Sequence, residues 1–188
     1  MKLLFVGGSA SEKSKLAEDA VMALGGVPVY VATMQVYGEE GQARVARHRA
    51  LRAGKGFFTV ERPRDFGNLN IEAELGPDAP HGPRVVLLEC LGNLIANEMF
   101  REDGICLSVE ECARLVLEDL AVLEAQCEHL VAVANDIGSS GEEYTRETQA
   151  YIECSGCVSC HLAARFDTVV ESVCGIANVV KGSLPWES

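Results

Sequence analysis

Leu3-Leu4-Phe5-Val6-Gly7-Gly8-Ser9-Ala10-Ser11-Glu12-Lys13-Ser14 is the stretch that decides how the chain is read. Four apolar residues in a row, closed by two glycines, have the character of a short strand buried on both faces. Beyond them Leu16, Ala17, Ala20, Val21 and Leu24 recur at helical spacing, and Gly25-Gly26 stops that helix. A strand, a glycine-containing turn and a helix form the setting of a phosphate-binding loop, whose pattern is G-x-x-x-x-G-K-[ST]. Backbone N–H groups at a helix start attract phosphate, a lysine reaches the outer phosphates, and a hydroxyl holds Mg²⁺. On this reading Gly7, Gly8, Ser9, Ala10, Ser11, Glu12, Lys13 and Ser14 contact a nucleotide, with Ser14 on the metal. Glu12 stands where the second glycine belongs. A carboxylate there adds repulsion towards phosphate, and a side chain hinders close backbone approach. The same residues also fit an ordinary tight strand–helix turn, with Lys13 and Ser14 merely starting the helix.

Working outward, apolar runs alternate with helical patterns. Val27–Thr33 and Phe57–Val60 read as strands, and Glu39 to about Ala53 reads as a helix. Gly76 to Pro83 holds three prolines and two glycines, hence a loop. Val85–Leu88 is an apolar strand ending in Glu89. Ser108 and Glu111 form a capping box before a helix with Cys112, Val116, Leu120 and Leu123 on its buried stripe. His129–Ala134 reads as a strand, Glu142 to Arg165 as a long helix and Thr168–Val173 as a late strand. This alternation predicts an α/β fold of three layers, a mainly parallel sheet with helices on both faces, resembling P-loop NTPases. With 188 residues it fits one domain over residues 1–188.

Sixteen basic and 28 acidic residues give a net charge of −12, which opposes non-specific binding to nucleic acid. No apolar run reaches the roughly 18–20 residues that span a bilayer, and the N-terminal apolar stretch is too short for a secretory signal. The expected location is therefore the cytoplasm. Eight cysteines in 188 residues fall below the density of a disulfide scaffold, so thiols are expected.

Three further places carry possible chemistry. Glu89, at a strand end downstream of Lys13 and Ser14, stands where an acid assists Mg²⁺, although strands also end in acids by chance. His48 lies among Arg44, Arg47, Arg49 and Arg52. Neighbouring cations favour a neutral, nucleophilic imidazole and offset the charge of a triphosphate. Taken alone, the same residues also read as a solvated basic helix with an incidental histidine. Cys154, Cys157 and Cys160, followed by His161, have a spacing seen in metal sites. On a helix, however, they fan over about 120°, and the alternative is three small residues packing that helix on the sheet.

Seven pieces in order resemble the bifunctional adenosylcobinamide kinase / adenosylcobinamide-phosphate guanylyltransferase (CobU) family. They are Leu4-Phe5-Val6-Gly7-Gly8 with Lys13-Ser14; Tyr30-Val31-Ala32-Thr33-Met34-Gln35; Ala43 through Arg49; Phe58-Thr59-Val60-Glu61; Leu87-Leu88-Glu89-Cys90-Leu91 through Asn97; Asn135-Asp136-Ile137-Gly138; and Asp167 through Gly175 with Lys181-Gly182. The resemblance implies phosphorylation of adenosylcobinamide by GTP or ATP, then transfer of GMP from GTP to the new phosphate through His48. It implies Mg²⁺ on Ser14 and Glu89, nucleotide contacts at Thr33, Met34, Gln35, Arg49, Arg52, Glu61 and Glu89, a corrinoid substrate and a homo-oligomer.

Several departures accompany it. Glu12 replaces the loop glycine, and Ser139-Ser140-Gly141-Glu142 follows where the family has a proline. Tyr151-Ile152-Glu153 aligns with a Phe-Arg-Asp segment, and Ser159 or a neighbour replaces a downstream asparagine. They leave open an alternative, a catalytically impaired paralogue acting as a binding or regulatory subunit.

Overall fold

Strand formation follows the apolar runs closely. The computed structural model describes residues 1–35, 54–101, 103–137 and 143–187. Its strands are β1 (Lys2–Gly7), β2 (Val27–Ala32), β3 (Phe58–Glu61), β4 (Arg84–Glu89), β5 (His129–Asn135), β6 (Thr168–Val173) and β7 (Ile176–Lys181). They lie in the order β3-β2-β4-β5-β1-β6-β7. All neighbours are parallel except β6 and β7, which form an antiparallel hairpin. The fold is the expected α/β sandwich, with the antiparallel β7 added at one edge.

The helices are α1 (Lys13–Leu24), the short α2 (Ile71–Leu75), α3 (Leu91–Met99), α4 (Val109–Glu124) and α5 (Arg146–Arg165). Strand residues alternate between two cores. Leu3, Phe5, Leu87, Val131 and Val133 meet Ala17, Ala20 and Val21 of α1 on one face. Leu4, Val29, Val31, Val86, Leu88 and Ala132 meet α3, α4 and α5 on the other. Strands buried on both faces need no polar alternation, which is why their sequences read as continuous apolar runs.

Local chemistry sets the ends. Ser108 caps α4 by accepting from Glu111 N–H at 3.3 Å, and the Glu111 carboxylate accepts from Ser108 N–H at 3.2 Å, the expected capping box. The last long helix begins at Arg146 rather than near residue 142, because the Thr145 side chain accepts from Thr148 N–H at 3.3 Å and caps it there. The expected helix from Glu39 to Ala53 lies outside the described residues.

One buried acid in this framework has a pH consequence. Asp119 of α4 is 4% exposed, and its carboxyl is pushed from 3.8 up to about 6. Loss of hydration is the main cause, followed by the charges of Glu98 and Asp65, while backbone amides of Gly67 and Phe66 pull the other way. A raised acid binds its proton more tightly in the folded chain, so stability falls as pH rises from about 4 through about 6. The cost approaches about 3 kcal/mol at pH 8. Asp119→Asn carries no charge at any pH. Its unfolding free energy from urea titration should therefore exceed that of the wild type at pH 8 by about 1–2 kcal/mol, after allowance for an imperfectly paired amide, and converge on it near pH 4.5. A deficit of equal size at both pH values would overturn this account.

Candidate phosphate-binding site

The nucleotide-site candidates among the described residues, apart from the N-terminal part of α1, sit at or just beyond the carboxyl ends of parallel strands, where open α/β sheets bind ligands. The 7–12 loop leaves β1 in a tight curl. Gly7 has no room for a side chain, since a Cβ would lie 2.5 Å from Ser11 Oγ and 2.7 Å from Ser172 O. Ala10 and Glu12 are left-handed, with φ of 57° and 66°. The glycine of the phosphate-loop pattern is thus replaced by a residue that adopts a glycine-like backbone, at a cost of about 1–2 kcal/mol. The Glu12 side chain is exposed and runs beside Gly175 in the β6–β7 turn, where a Cβ would lie 3.7 Å from Glu12 Cγ.

The loop is held from below. Ser11 O accepts from Ser172 Oγ at 2.5 Å and from Gly175 N–H at 3.1 Å, and Gly7 O accepts from Asp136 N–H at 3.0 Å. A cavity of about 530 Å³ opens between residues 6–11, Asp136 and residues 171–174. Glu12, Lys13, Ser14 and Glu89 all lie outside its lining. Sequence reasoning missed Ser172 and Gly175 as loop supports, since a serine inside a β-branched strand gives no signal of the turn that it will meet.

Lys13 is buried, and its ammonium donates to Gly8 O at 3.0 Å, so it curls over the loop. Ser14 Oγ donates to Glu89 Oε1 at 2.9 Å. The pair predicted on Mg²⁺ therefore comes together across strands that are not adjacent, because α1 carries Ser14 over the sheet towards the end of β4. A hydroxyl and a carboxylate are hard oxygen donors of the kind that Mg²⁺ takes alongside water and phosphate oxygens, and so the residues fit that ion.

Other candidates are placed differently. Thr33 is fully buried, and its hydroxyl donates to Cys90 O and accepts from Cys90 N–H, both at 2.8 Å. It reaches the site through the β4 end rather than by exposed contact, which departs from the expected direct nucleotide contact. Met34 and Gln35 are half-buried beyond it. Glu61 is exposed at the end of β3, four strands away from β1 in the sheet order. At the usual strand spacing that is about 19 Å from Gly7, too far for both to touch one phosphate. His48, Arg44, Arg47, Arg49 and Arg52 lie outside the described residues.

The cysteine run behaves in a third way. Cys154 packs in the core while Cys157 and Cys160 are exposed, which corrects the expectation that all three pack on the sheet. No group of three or more His, Cys, Asp or Glu side chains gathers for a metal among the described residues. Cys90, in contrast, lies beside the site. Burial pushes its thiol up to about 11, so it is an inert packing group that accepts from Asn135 Nδ2 at 3.6 Å.

The family model described as cobinamide kinase / cobinamide phosphate guanyltransferase matches residues 3–180. The chain belongs to this family. Bifunctional adenosylcobalamin biosynthesis proteins are similar to it along nearly their whole length. CobU of Salmonella typhimurium LT2 is 29% identical over 96% of this chain and 100% of its own. CobU of Escherichia coli K12 is 29% identical over the same shares. CobP of Pseudomonas aeruginosa PAO1 is 30% identical over 97% of this chain and 98% of its own. Within the CobU family frame, the 7–14 loop, Glu89 and Asn135 occupy the strand ends of an uninterrupted α/β sheet. No helix among the described residues is long and apolar enough to cross a membrane.

Proposed function

We propose that this protein acts in adenosylcobalamin biosynthesis as a single domain over residues 1–188. It phosphorylates adenosylcobinamide with GTP or ATP and then transfers GMP from GTP to the product. The observation that carries this reading is the convergence of Lys13, Ser14 and Glu89 at the end of a glycine-started loop in a CobU-family chain. In the first reaction the acceptor hydroxyl attacks the γ-phosphorus, the bond to the β-phosphate oxygen breaks to release the nucleoside diphosphate, and the hydroxyl proton passes to solvent water. In the second, a His48 ring nitrogen attacks the α-phosphorus of GTP and pyrophosphate leaves. The adenosylcobinamide phosphate oxygen then displaces His48, forming a new phosphoanhydride and freeing the imidazole.

The described residues have definite parts in this. Lys13 exchanges its Gly8 carbonyl for a phosphate oxygen and meets charge that grows as the bond to the leaving phosphate lengthens. Ser14 and Glu89 would hold Mg²⁺, which screens the charge between the phosphates when bound. The Glu12 backbone, left-handed like a glycine's at φ of 66°, and its exposed side chain beside Gly175 support a working loop over the impaired-paralogue alternative.

Intact-protein mass after incubation with Mg²⁺ and GTP tests the proposal. Wild type is expected to gain the mass of one GMP residue, and His48→Ala to gain none. Absence of the adduct from wild type, together with absence of GTP binding by calorimetry, would mean that the site is silent.

A further inference from the structure

The parallel ladder between β2 and β4 ends at the pair Ala32↔Glu89. One residue later, side-chain bonds take over from it. Thr33 N–H donates to Glu89 O at 3.1 Å, Thr33 Oγ1 donates to Cys90 O at 2.8 Å, and Cys90 N–H donates to Thr33 Oγ1 at 2.8 Å. Three bonds from one residue thus end on the two residues at which β4 turns into α3. The remaining polar atom, Thr33 O, accepts from Asn97 Nδ2 at 2.8 Å, and the same amide donates to Pro63 O at 2.9 Å. Asn97, two turns into α3, therefore pins the exits of β2 and β3 to the helix that begins just after Glu89.

Glu89 is the residue that this arrangement leaves with little freedom. Its main chain is fixed by the ladder and by Thr33, and its Oε1 accepts from Ser14 at 2.9 Å. A carboxylate that serves a metal must be held to within about half an ångström, and partners one step removed commonly decide that. We infer that Thr33 is a positioning residue, with Asn97 as its anchor: by clamping the Glu89–Cys90 main chain it sets the Glu89 carboxylate over Ser14 for Mg²⁺. This inference rests on the function proposed above, because it gives the Ser14–Glu89 pair its ion.

The experiment measures the Mg²⁺ concentration at half-saturation by calorimetry and by thermal shift, at a fixed level of α,β-methylene GTP, which blocks transfer to His48. Thr33→Val keeps the shape and removes the hydroxyl, while Thr33→Ser keeps the hydroxyl. Thr33→Val should raise the Mg²⁺ midpoint about tenfold, with affinity for the analogue in EDTA changed less than twofold. Thr33→Ser should return the midpoint to within about threefold of wild type. If Thr33→Val does not fold, Asn97→Ala replaces it, with an expected rise of about threefold or more. A folded Thr33→Val, or Asn97→Ala in its place, with the wild-type midpoint overturns the inference and leaves the proposed function standing. Wild type that binds no analogue at any Mg²⁺ concentration overturns both.

Discussion

Lys13→Ala is expected to lower GTP-dependent turnover by about 10²–10³-fold, with the melting temperature almost unchanged. The chain carries a net charge of −12, yet Lys13 is only 7% exposed and forms no ion pair among the described residues. An ammonium has three donors, and one carbonyl, Gly8 O at 3.0 Å, does little to offset its desolvation. Stability therefore gains little from this charge, and alanine should cost the fold less than about 1 kcal/mol. Phosphoryl transfer gains much more, because a donor aimed at developing phosphate charge in a site screened from water contributes about 2.7–4 kcal/mol to the transition state. Arginine should rescue poorly, since its planar fork cannot occupy the space of a compact ammonium against the Gly8 carbonyl. The measurement is kcat/KM for GTP alongside the melting temperature. A loss of less than threefold, or a melting temperature lowered by as much as a core mutant's, would show that Lys13 serves the fold instead.

Much of the scaffold behind Lys13 was legible in the sequence, for physical reasons that can be named. Strands buried on both faces leave unbroken apolar runs, so β1, β2, β4 and β5 could be read directly, while β6 showed by its β-branched residues despite the exposed Glu171. Gly25-Gly26 and the Ser108–Glu111 pair marked helix ends because caps depend on local chemistry alone. The helix α3 was harder. Its sequence follows β4 with a single residue, Cys90, between them, so no glycine, proline or polar turn run separates strand from helix. The edge strand β7 was missed as a separate element because its residues alternate between half-buried and exposed, and Val180 and Ile176 face outward.

The site was legible where chemistry is sequential and obscure where the sheet order creates it. Lys13 and Ser14 follow one pattern along the chain, and Glu89 could be added because it closes an apolar strand. Nothing local distinguishes Glu61, which closes a strand in the same way, yet β3 lies at the far edge and β4 lies two places from β1. Strand order, set by long-range pairing, separates the two acids. Thr33 shows the converse limit. A threonine after a strand reads as a polar contact, and only the folded chain reveals that all its hydrogen-bonding capacity is spent on Glu89, Cys90 and Asn97. Glu12 is a conflict between pattern and conformation: the residue type departs from the loop pattern while its φ of 66° keeps the pattern's backbone.

Gly182→Ala should be the most destabilising glycine-to-alanine change among the described residues, with a loss of about 3–5 kcal/mol and a melting temperature lower by about 6–15 °C. Gly182 has φ of 73°, and a Cβ would lie 2.3 Å from Asp167 O and 2.8 Å from Thr168 Oγ1. Neither obstacle is free to yield. Asp167 N–H donates to Lys2 O at 2.9 Å, Lys2 N–H donates to Asp167 Oδ2 at 2.7 Å, and Thr168 Oγ1 donates to Ser183 O at 2.9 Å. The first two bonds tie the base of the β6–β7 hairpin to β1, inside the sheet, and the third closes the base on itself. The hairpin tip supplies Ser172 Oγ and Gly175 N–H to Ser11 O, so a base forced apart also shifts the support of the phosphate loop, and GTP affinity should fall with the melting temperature. Gly175→Ala isolates the steric part of the effect. Its φ of 81° carries the same left-handed cost, but its nearest neighbour would be Glu12 Cγ at an ordinary 3.7 Å, so about 1–2 kcal/mol is expected there. Equal losses in the two variants would reject the clash at Asp167 and leave only the backbone conformation to account for both.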